Sequence, residues 1–310
     1  MKRIFGSFIV GKSLIKNEKG NAILITALFM SVFILLSALV IDSGLMFLVK
    51  ARLANAADAA VLAAVQELPG NPTAALAIAK AYSNSNGVSD SEVTFEVFNS
   101  NREIKAVAAR RINLIFGRLA GFMDTNIVAR STAAVGSIKG IDGIVPLGIE
   151  DEGFEFNHEY TLKVGAGSSE TGWFGALALG GPGANTYEDN LTYGYRAIIK
   201  IGDIIDVKTG NMSNPTKRAI DYRMGQCNHI PRCTAASFVK DCKRLVKVPV
   251  IKKLSNGDIE VVGFSVFLVN SVLGQGNESI ITGSFVRTIA SGDIDLNGTD
   301  YGLLGVKLTQ

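Results

Sequence analysis

Residues Gly20–Leu68, GNAILITALFMSVFILLSALVIDSGLMFLVKARLANAADAAVLAAVQEL, decide how the rest of the chain is arranged. From Asn21 to Ile41 there is neither charge nor proline, and roughly 20 such residues rising ~1.5 Å each in a helix cross a hydrocarbon core of ~30 Å. Asp42, Lys50, Arg52 and Asp58 then restore polarity, while good helix formers run from Leu45 to Leu68 without Gly or Pro. One rod is expected, with a transmembrane helix over 20–48 and a spine beyond it.

The spine carries a narrow apolar stripe. Ala54, Ala57, Val61, Ala64 and Leu68 recur at helical spacing, and their small side chains let a sheet or another helix approach closely. This face is expected to pack against the chain's own first exported sheet, or against a partner helix such as that of a second copy. Asp42 stands at the outer end of the span, where a carboxylate reaches headgroups or pairs with Lys50 or Arg52 of a neighbouring chain.

Upstream, Lys2, Arg3, Lys12, Lys16 and Lys19 face the single acid Glu18. Short basic flanks stay in the cytoplasm, so the N-terminus is expected inside and everything after Asp42 outside. The apolar run exceeds the ~7–15 residues of a secretory signal core and continues as helix, which predicts a retained anchor. The lipid bilayer is therefore the first expected partner. With 310 residues, 47% of them hydrophobic and 19% charged, the chain can bury a substantial core. A net charge of +3, dispersed along the sequence, excludes a nucleic-acid surface.

Gly20-Asn21, the apolar run, Ile41-Asp42-Ser43-Gly44, Lys50-Ala51-Arg52-Leu53 and the segment from Ala56 to Ala64 together resemble the N-terminal module of TadE/TadG-like Flp pilus-assembly proteins. The resemblance covers about a fifth of the chain closely and reaches to about Ser137 more loosely. It implies a pilin-like, membrane-anchored component of tight-adherence pilus machinery, with other pilus-assembly or secretion-system proteins as partners. Two departures matter. Ile25 stands where pilins often carry Glu five residues after the processing glycine, and the exported part lacks the Asp-x-Ser-x-Ser metal motif of many TadG-like members. Metal-dependent adhesion of that kind is not carried over.

Downstream, Asn71-Pro72 breaks the rod and Thr73 is placed to cap a second helix through Tyr82. Alternation over Glu92–Phe98 predicts a half-buried strand, Glu103–Ala109 its partner, Ile112–Ala120 a short helix stopped by Gly121, and Thr125–Val135 a closing strand. A shift to Gly-rich sequence at 136–143 places a boundary there. Strands are then expected over Ile144–Ile149, Tyr160–Val164, Ala197–Ile205, Val246–Lys252, Ile259–Val269 and Ser279–Ala290, separated by turns such as 255–258. The expected fold is α+β, a long N-terminal transmembrane helix packed on a small pilin-like α/β module and followed by a β-rich sandwich or barrel-like domain. Its expected divisions are 1–19, 20–48, 49–138 and 139–310.

Candidate chemistry is sparse. Cys227, His229, Cys233 and Cys242 form Cys-x-His-x3-Cys-x8-Cys, the donor set of a Cys3His zinc site. In an exported domain one disulfide among the three cysteines is the expected state, with the pairing open. Asp293, Asp295 and Asn297, with Gly298, match the start of a calcium loop, although Leu304 replaces the bidentate Glu, and an ordinary turn is the expected reading. The glycine-rich 165–185 stretch around Trp173 lacks a phosphate-binding pattern, and His158 and His229 lack any catalytic companion motif. No catalytic residue and no cofactor are expected. The expected function is a non-enzymatic part in Tad/Flp-type pilus assembly or surface secretion and adhesion. The alternative is a tethered surface module that binds a small ligand, sugar or metal.

Overall fold

The structure is a computed structural model that describes residues 18–151, 153–165, 173–206, 212–255, 258–274 and 278–309. The basic segment before Glu18, the glycine-rich 166–172 and the centre of the turn at 255–258 lie outside these residues.

Helix α1 (Glu18–Ala64) runs unbroken for 47 residues and tightens into a 3-10 turn over Val65–Glu67. At ~1.5 Å per residue it is about 70 Å long. Helix α2 (Pro72–Ser85) follows, capped by Asn71, whose side chain accepts the Ala74 N–H at 3.0 Å. The cap is thus Asn71 and not Thr73, because Pro72 occupies the first helical position, where a missing N–H costs nothing.

Strands β1 (Val93–Phe98), β2 (Glu103–Asn113) and β3 (Asp124–Ile138) form an antiparallel meander. The helix expected over Ile112–Ala120 is replaced by the end of β2 and a 3-10 turn at Gly117–Ala120. Pairing of Ile112 with Thr125 and Asn113 with Asp124 satisfies that backbone and buries Ile112, so tertiary pairing overrides local propensity. Gly121 does end the turn, in the left-handed conformation at φ 88°.

The distal part of α1 lies across this sheet. Leu53, Ala56, Ala57, Val61, Ala64 and Leu68 join Ala75 and Ala79 of α2 against Ile104, Ala106 and Ala108 of β2 and Ala129, Ala133 and Val135 of β3. Alanine on both sides of the contact brings the helix close to the strands. Ala57, Val61 and Ala64 are fully buried, Ala54 lies at the rim, and Leu53, Ala56 and Ala60 widen the stripe.

The chain then builds a second sheet. In order it forms β4 (Gly140–Ile141), β5 (Leu147–Glu150), β6 (Glu159–Gly165), β7 (Trp173–Ala176), helix α3 (Ala184–Tyr193), β8 (Ile199–Lys200), β9 (Ile204–Ile205), helix α4 (Ser213–Gly225), β10 (Leu245–Lys253), β11 (Ile259–Leu273) and β12 (Glu278–Val286). Its spatial order is β6-β12-β11-β10-β5-β7, with β9 beside β11, and β4 pairs separately with β8. Neighbours are antiparallel except β10 and β5. The sheet curls until its edge strands β6 and β7 lie against each other.

Both faces of this sheet are covered. Phe267 and Val269 of β11 pack with Tyr187, Leu191, Ala219 and Ile220 of α3 and α4. Phe264, Val266 and Leu268 point the other way, into a core shared with Ile138, Ile144, Leu177, Cys233, Cys242 and Leu303. Two-sided burial explains why β11 reads as a nearly continuous apolar run.

The last strands, β13 (Thr288–Ile289), β14 (Ile294–Asp295) and β15 (Leu303–Leu308), cross back to the first sheet. β15 pairs antiparallel with β3 and parallel with β13, and β14 also pairs with β3. The first sheet therefore runs β1-β2-β3-β15-β13 and spans the 138/139 division expected from composition. Without β15, Ala133–Ser137 of β3 would present an open edge. The chain is α+β throughout, a long apolar helix followed by a mixed, sheet-rich region.

Candidate functional site

Two places combine residues whose arrangement asks for a function, and the first is the proximal half of α1. The segment 22–67 is the one described helix long and apolar enough to cross a membrane. From Ile23 to Ile41 its large apolar side chains are exposed around the whole circumference, Ile23 at 72% and Phe33 at 67%. So continuous an apolar surface requires lipid or partner helices in place of water. Phe47 and Leu48 extend it by a further turn and a half.

At the C-terminal end of this surface Asp42 is buried. Its carboxylate accepts the backbone N–H groups of Ile115 at 2.9 Å, Phe116 at 3.0 Å and Gly117 at 2.6 Å. These belong to the β2–β3 connection, whose amides have no ladder partner, so one anion gathers three donors. The partners expected for Asp42, headgroups or a neighbouring chain's Lys50 or Arg52, are replaced by this internal clamp. Lys50 instead donates to the Val128 carbonyl. A side chain at Gly117 would run into Leu114, 2.7 Å from an added Cβ, which keeps that approach close. The clamped connection exposes Ile115, Phe122 and Met123 beside the helix. Sequence reading singled out Asp42 but missed this connection, since nothing local marks residues 115–117 as its ligands.

The second place is the connection from α4 to β10. Cys227 follows the end of α4, its N–H bonded to the Met224 carbonyl, and Cys242 precedes β10 with its N–H on Val239. Between them His229 and Cys233 lie on an irregular loop stapled by paired bonds between Thr234 and Ser237. His229 Nδ1 is 3.5 Å from Cys233 Sγ and 3.8 Å from Cys227 Sγ, and Cys227 Sγ is 3.5 Å from Cys242 Sγ. All four donor atoms lie within 4.8 Å of one another. The three cysteines are free in the structure, with the Cys227 and Cys242 sulfurs 3.5 Å apart against about 2.05 Å for a bonded pair.

Electrostatics divide the thiols. Burial opposes ionisation of Cys227, but hydrogen bonds from His229, Cys242 and Arg244 outweigh it and bring the thiol down to about 6. Burial pushes Cys242 up to about 12, with its neighbouring thiols adding to the rise. Around them stand residues that sequence reading did not select. Asp241 holds a carboxylate oxygen 3.8 Å from His229 Nε2, leaving Nδ1 for the sulfurs. Buried Arg244 donates to the carbonyls of Val269 at 2.7 Å and Cys233 at 2.8 Å and to Asn270 at 3.1 Å. Nothing in the spacing of the motif predicted these two. A cleft of about 490 Å³, lined by Tyr193, Tyr222, Arg223 and Asp241 among others, opens beside Cys242.

The calcium candidates Asp293, Asp295 and Asn297 lie in and beside β14. Asp295 sits in β14 opposite Ser137, and its carboxylate accepts the Asn297 N–H at 3.0 Å as in a simple turn. Asp293 gives its carbonyl to the Lys139 N–H, while the Gly298 and Thr299 carbonyls accept from Arg102 and Ser137. The segment fastens β14 to β3. Among the described residues the only group of His, Cys, Asp and Glu donors close enough for a metal is the Cys227–Cys242 set. His158 lies far from it in sequence and packs edge-on against Tyr160.

Residues 20–67 match the Tad family model, which describes Flp pilus-assembly TadE/G-like proteins. The match ends at the 3-10 turn that closes the rod, and so coincides with the apolar span and the spine. No curated protein and no solved structure matches the chain.

Proposed function

We propose that this chain is a membrane-anchored, non-enzymatic component of a Tad/Flp-type pilus assembly or surface secretion apparatus. One observation carries the reading: the 20–67 family match falls on a helix that is bare and apolar below Asp42 and buried in the first sheet from Leu53 onward. Such a rod transmits position from the bilayer to a folded exported body without a flexible joint.

In this reading the N-terminus is cytoplasmic and both sheets lie outside the cell membrane, following the basic residues ahead of Gly20. Ile115, Phe122 and Met123 enter the interfacial layer, so that the Asp42 clamp fixes the height of the exported body above the lipid. Two bodies make up that exported part, and the second is inserted between β3 and the returning β15. The apolar span packs in the membrane with other pilus-assembly proteins or with a second copy.

Capture of the tagged full chain from detergent-solubilised membranes tests the proposal. Pilus motor and platform proteins are expected to co-purify, and to be lost when the span from 22 to 41 is replaced by an unrelated transmembrane helix. Equal recovery with the replaced span would show that the tether carries no assembly information. That result favours the second reading, a surface binding module, for which the Tyr193–Tyr222 cleft is the specific feature.

A further inference from the structure

We propose that Cys227, His229, Cys233 and Cys242 bind one zinc ion in a closed tetrahedral Cys3His site that organises the α4–β10 connection. The inference is independent of the pilus reading. Zn–S bonds of about 2.3 Å and a Zn–N bond of about 2.0 Å give a tetrahedron with edges of about 3.5–3.8 Å between donor atoms. The separations of 3.5, 3.5 and 3.8 Å already have this size. The remaining pairs, all within 4.8 Å, need to draw in by about 1.3 Å at most to complete it.

The surroundings match what such an ion requires. Three thiolates and one neutral imidazole around a divalent cation leave one net negative charge. Arg244 lies beside it, its guanidinium hydrogen-bonded to the carbonyls of Val269 and Cys233 and the amide oxygen of Asn270, with no carboxylate among these partners. A guanidinium stays charged at any accessible pH, so an anionic metal centre beside it would add charge compensation to the three oxygen acceptors that already hold it. Asp241 faces the ring nitrogen that points away from the sulfurs, the usual outer partner of a metal-bound histidine. Cys233 and Cys242 are almost wholly inaccessible, while His229 closes the solvent side.

The chain geometry points the same way. Residues 226–244 connect α4 to β10 without a helix or named strand, and a loop beyond about 12–15 residues inside a compact body needs something to hold it. Its apolar contribution to the core comes largely through the cysteines themselves. Soft thiolates with one imidazole select zinc over calcium or magnesium, and four protein donors leave no open position, so the site is structural. Binding releases to solvent the protons of those thiols that are not already ionised.

The test uses the full chain purified in detergent without chelator or reductant. Metal analysis is expected to return about one zinc per chain, and all three thiols to be shielded from a thiol reagent until a strong chelator is added. Cobalt substituted for zinc is expected to give the intense visible bands of a tetrahedral thiolate site. Cys233→Ser should lower zinc content at least tenfold, and Asp241→Asn should weaken zinc in competition with a chromophoric chelator by about tenfold. The proposal is overturned by protein without metal that has one titratable thiol, which is the disulfide state. It is equally overturned by three reactive thiols that stay metal-free in added zinc, or by zinc that Cys233→Ser retains in full. If Cys233→Ser fails to accumulate, the metal and thiol stoichiometry of the unaltered chain decides alone.

Discussion

Asp42 shows how much one side chain contributes here. It is the only acid between Asn21 and Lys50, and it is satisfied by three backbone amides of a connection more than seventy residues away in sequence. Replacing it with Ala leaves those amides without their acceptor, and the amides of 115–117 are expected to exchange hydrogen at least tenfold faster while membrane insertion is unchanged. Hydrogen exchange by mass spectrometry on the detergent-solubilised chain checks this, and unaltered protection would show that the clamp is dispensable. Glu92 makes a different kind of contact. The Arg110 guanidinium beside it, at 2.5 Å, holds its carboxyl at about 2, below the ordinary 4.5. Because the folded value is depressed, the contribution is complete above pH 4.5 and is lost as pH falls toward 2. Acid unfolding of Glu92→Gln is therefore expected to show a shallower loss of stability across that window. An unchanged slope would place the acid sensitivity elsewhere.

Among the elements, α1 was the most legible, since length, absence of breakers and helical spacing all agree from Leu45 to Leu68. Its buried face admits only small residues. Ala57→Asp or Ala64→Asp puts an unpaired carboxylate where each alanine is at most 1% exposed, and a loss of about 3 kcal/mol or more is expected. Protease resistance of the sheet-bearing body should fall while the span still inserts; resistance equal to the unaltered chain would mean the spine is not packed on the sheet. Helices α3 and α4 were not legible. ANTYEDNLTY is rich in Asn and Thr, which favour turns in isolation, and α4 carries Pro215 within its first turn. Only the apolar face of the second sheet, received by Leu191 and Ile220, makes them helices. The zinc candidates were legible as a spacing but not as a geometry, because Asp241 and Arg244 acquire their roles only when β10 and β11 bring the loop home.

At the scale of the whole molecule, the chain's return was the feature least accessible to sequence reading. β15 pairs with β3 across some 170 residues, and non-local pairings leave no periodic signal in either partner. A composition shift at 136–143 gave no sign that the first sheet is completed by residues 303–308. Gly136 registers this closure, for an added Cβ there would lie 2.5 Å from the Asp295 carbonyl oxygen. Gly136→Val is expected to push β14 away and to lower the melting temperature of the sheet-bearing body by several degrees, measurable by calorimetry; an unchanged transition would mean the return strands fold apart from β3. The two sheets, so joined, ride on one rod whose N-terminal half is exposed and apolar and whose sequence matches a pilus-assembly module. The most direct test is piliation, counted by electron microscopy, in cells that lack this chain and in the same cells supplied with it again. The account predicts loss of Tad/Flp-type pili in the deletion and their recovery with the full chain, whereas wild-type piliation in the deletion would contradict it.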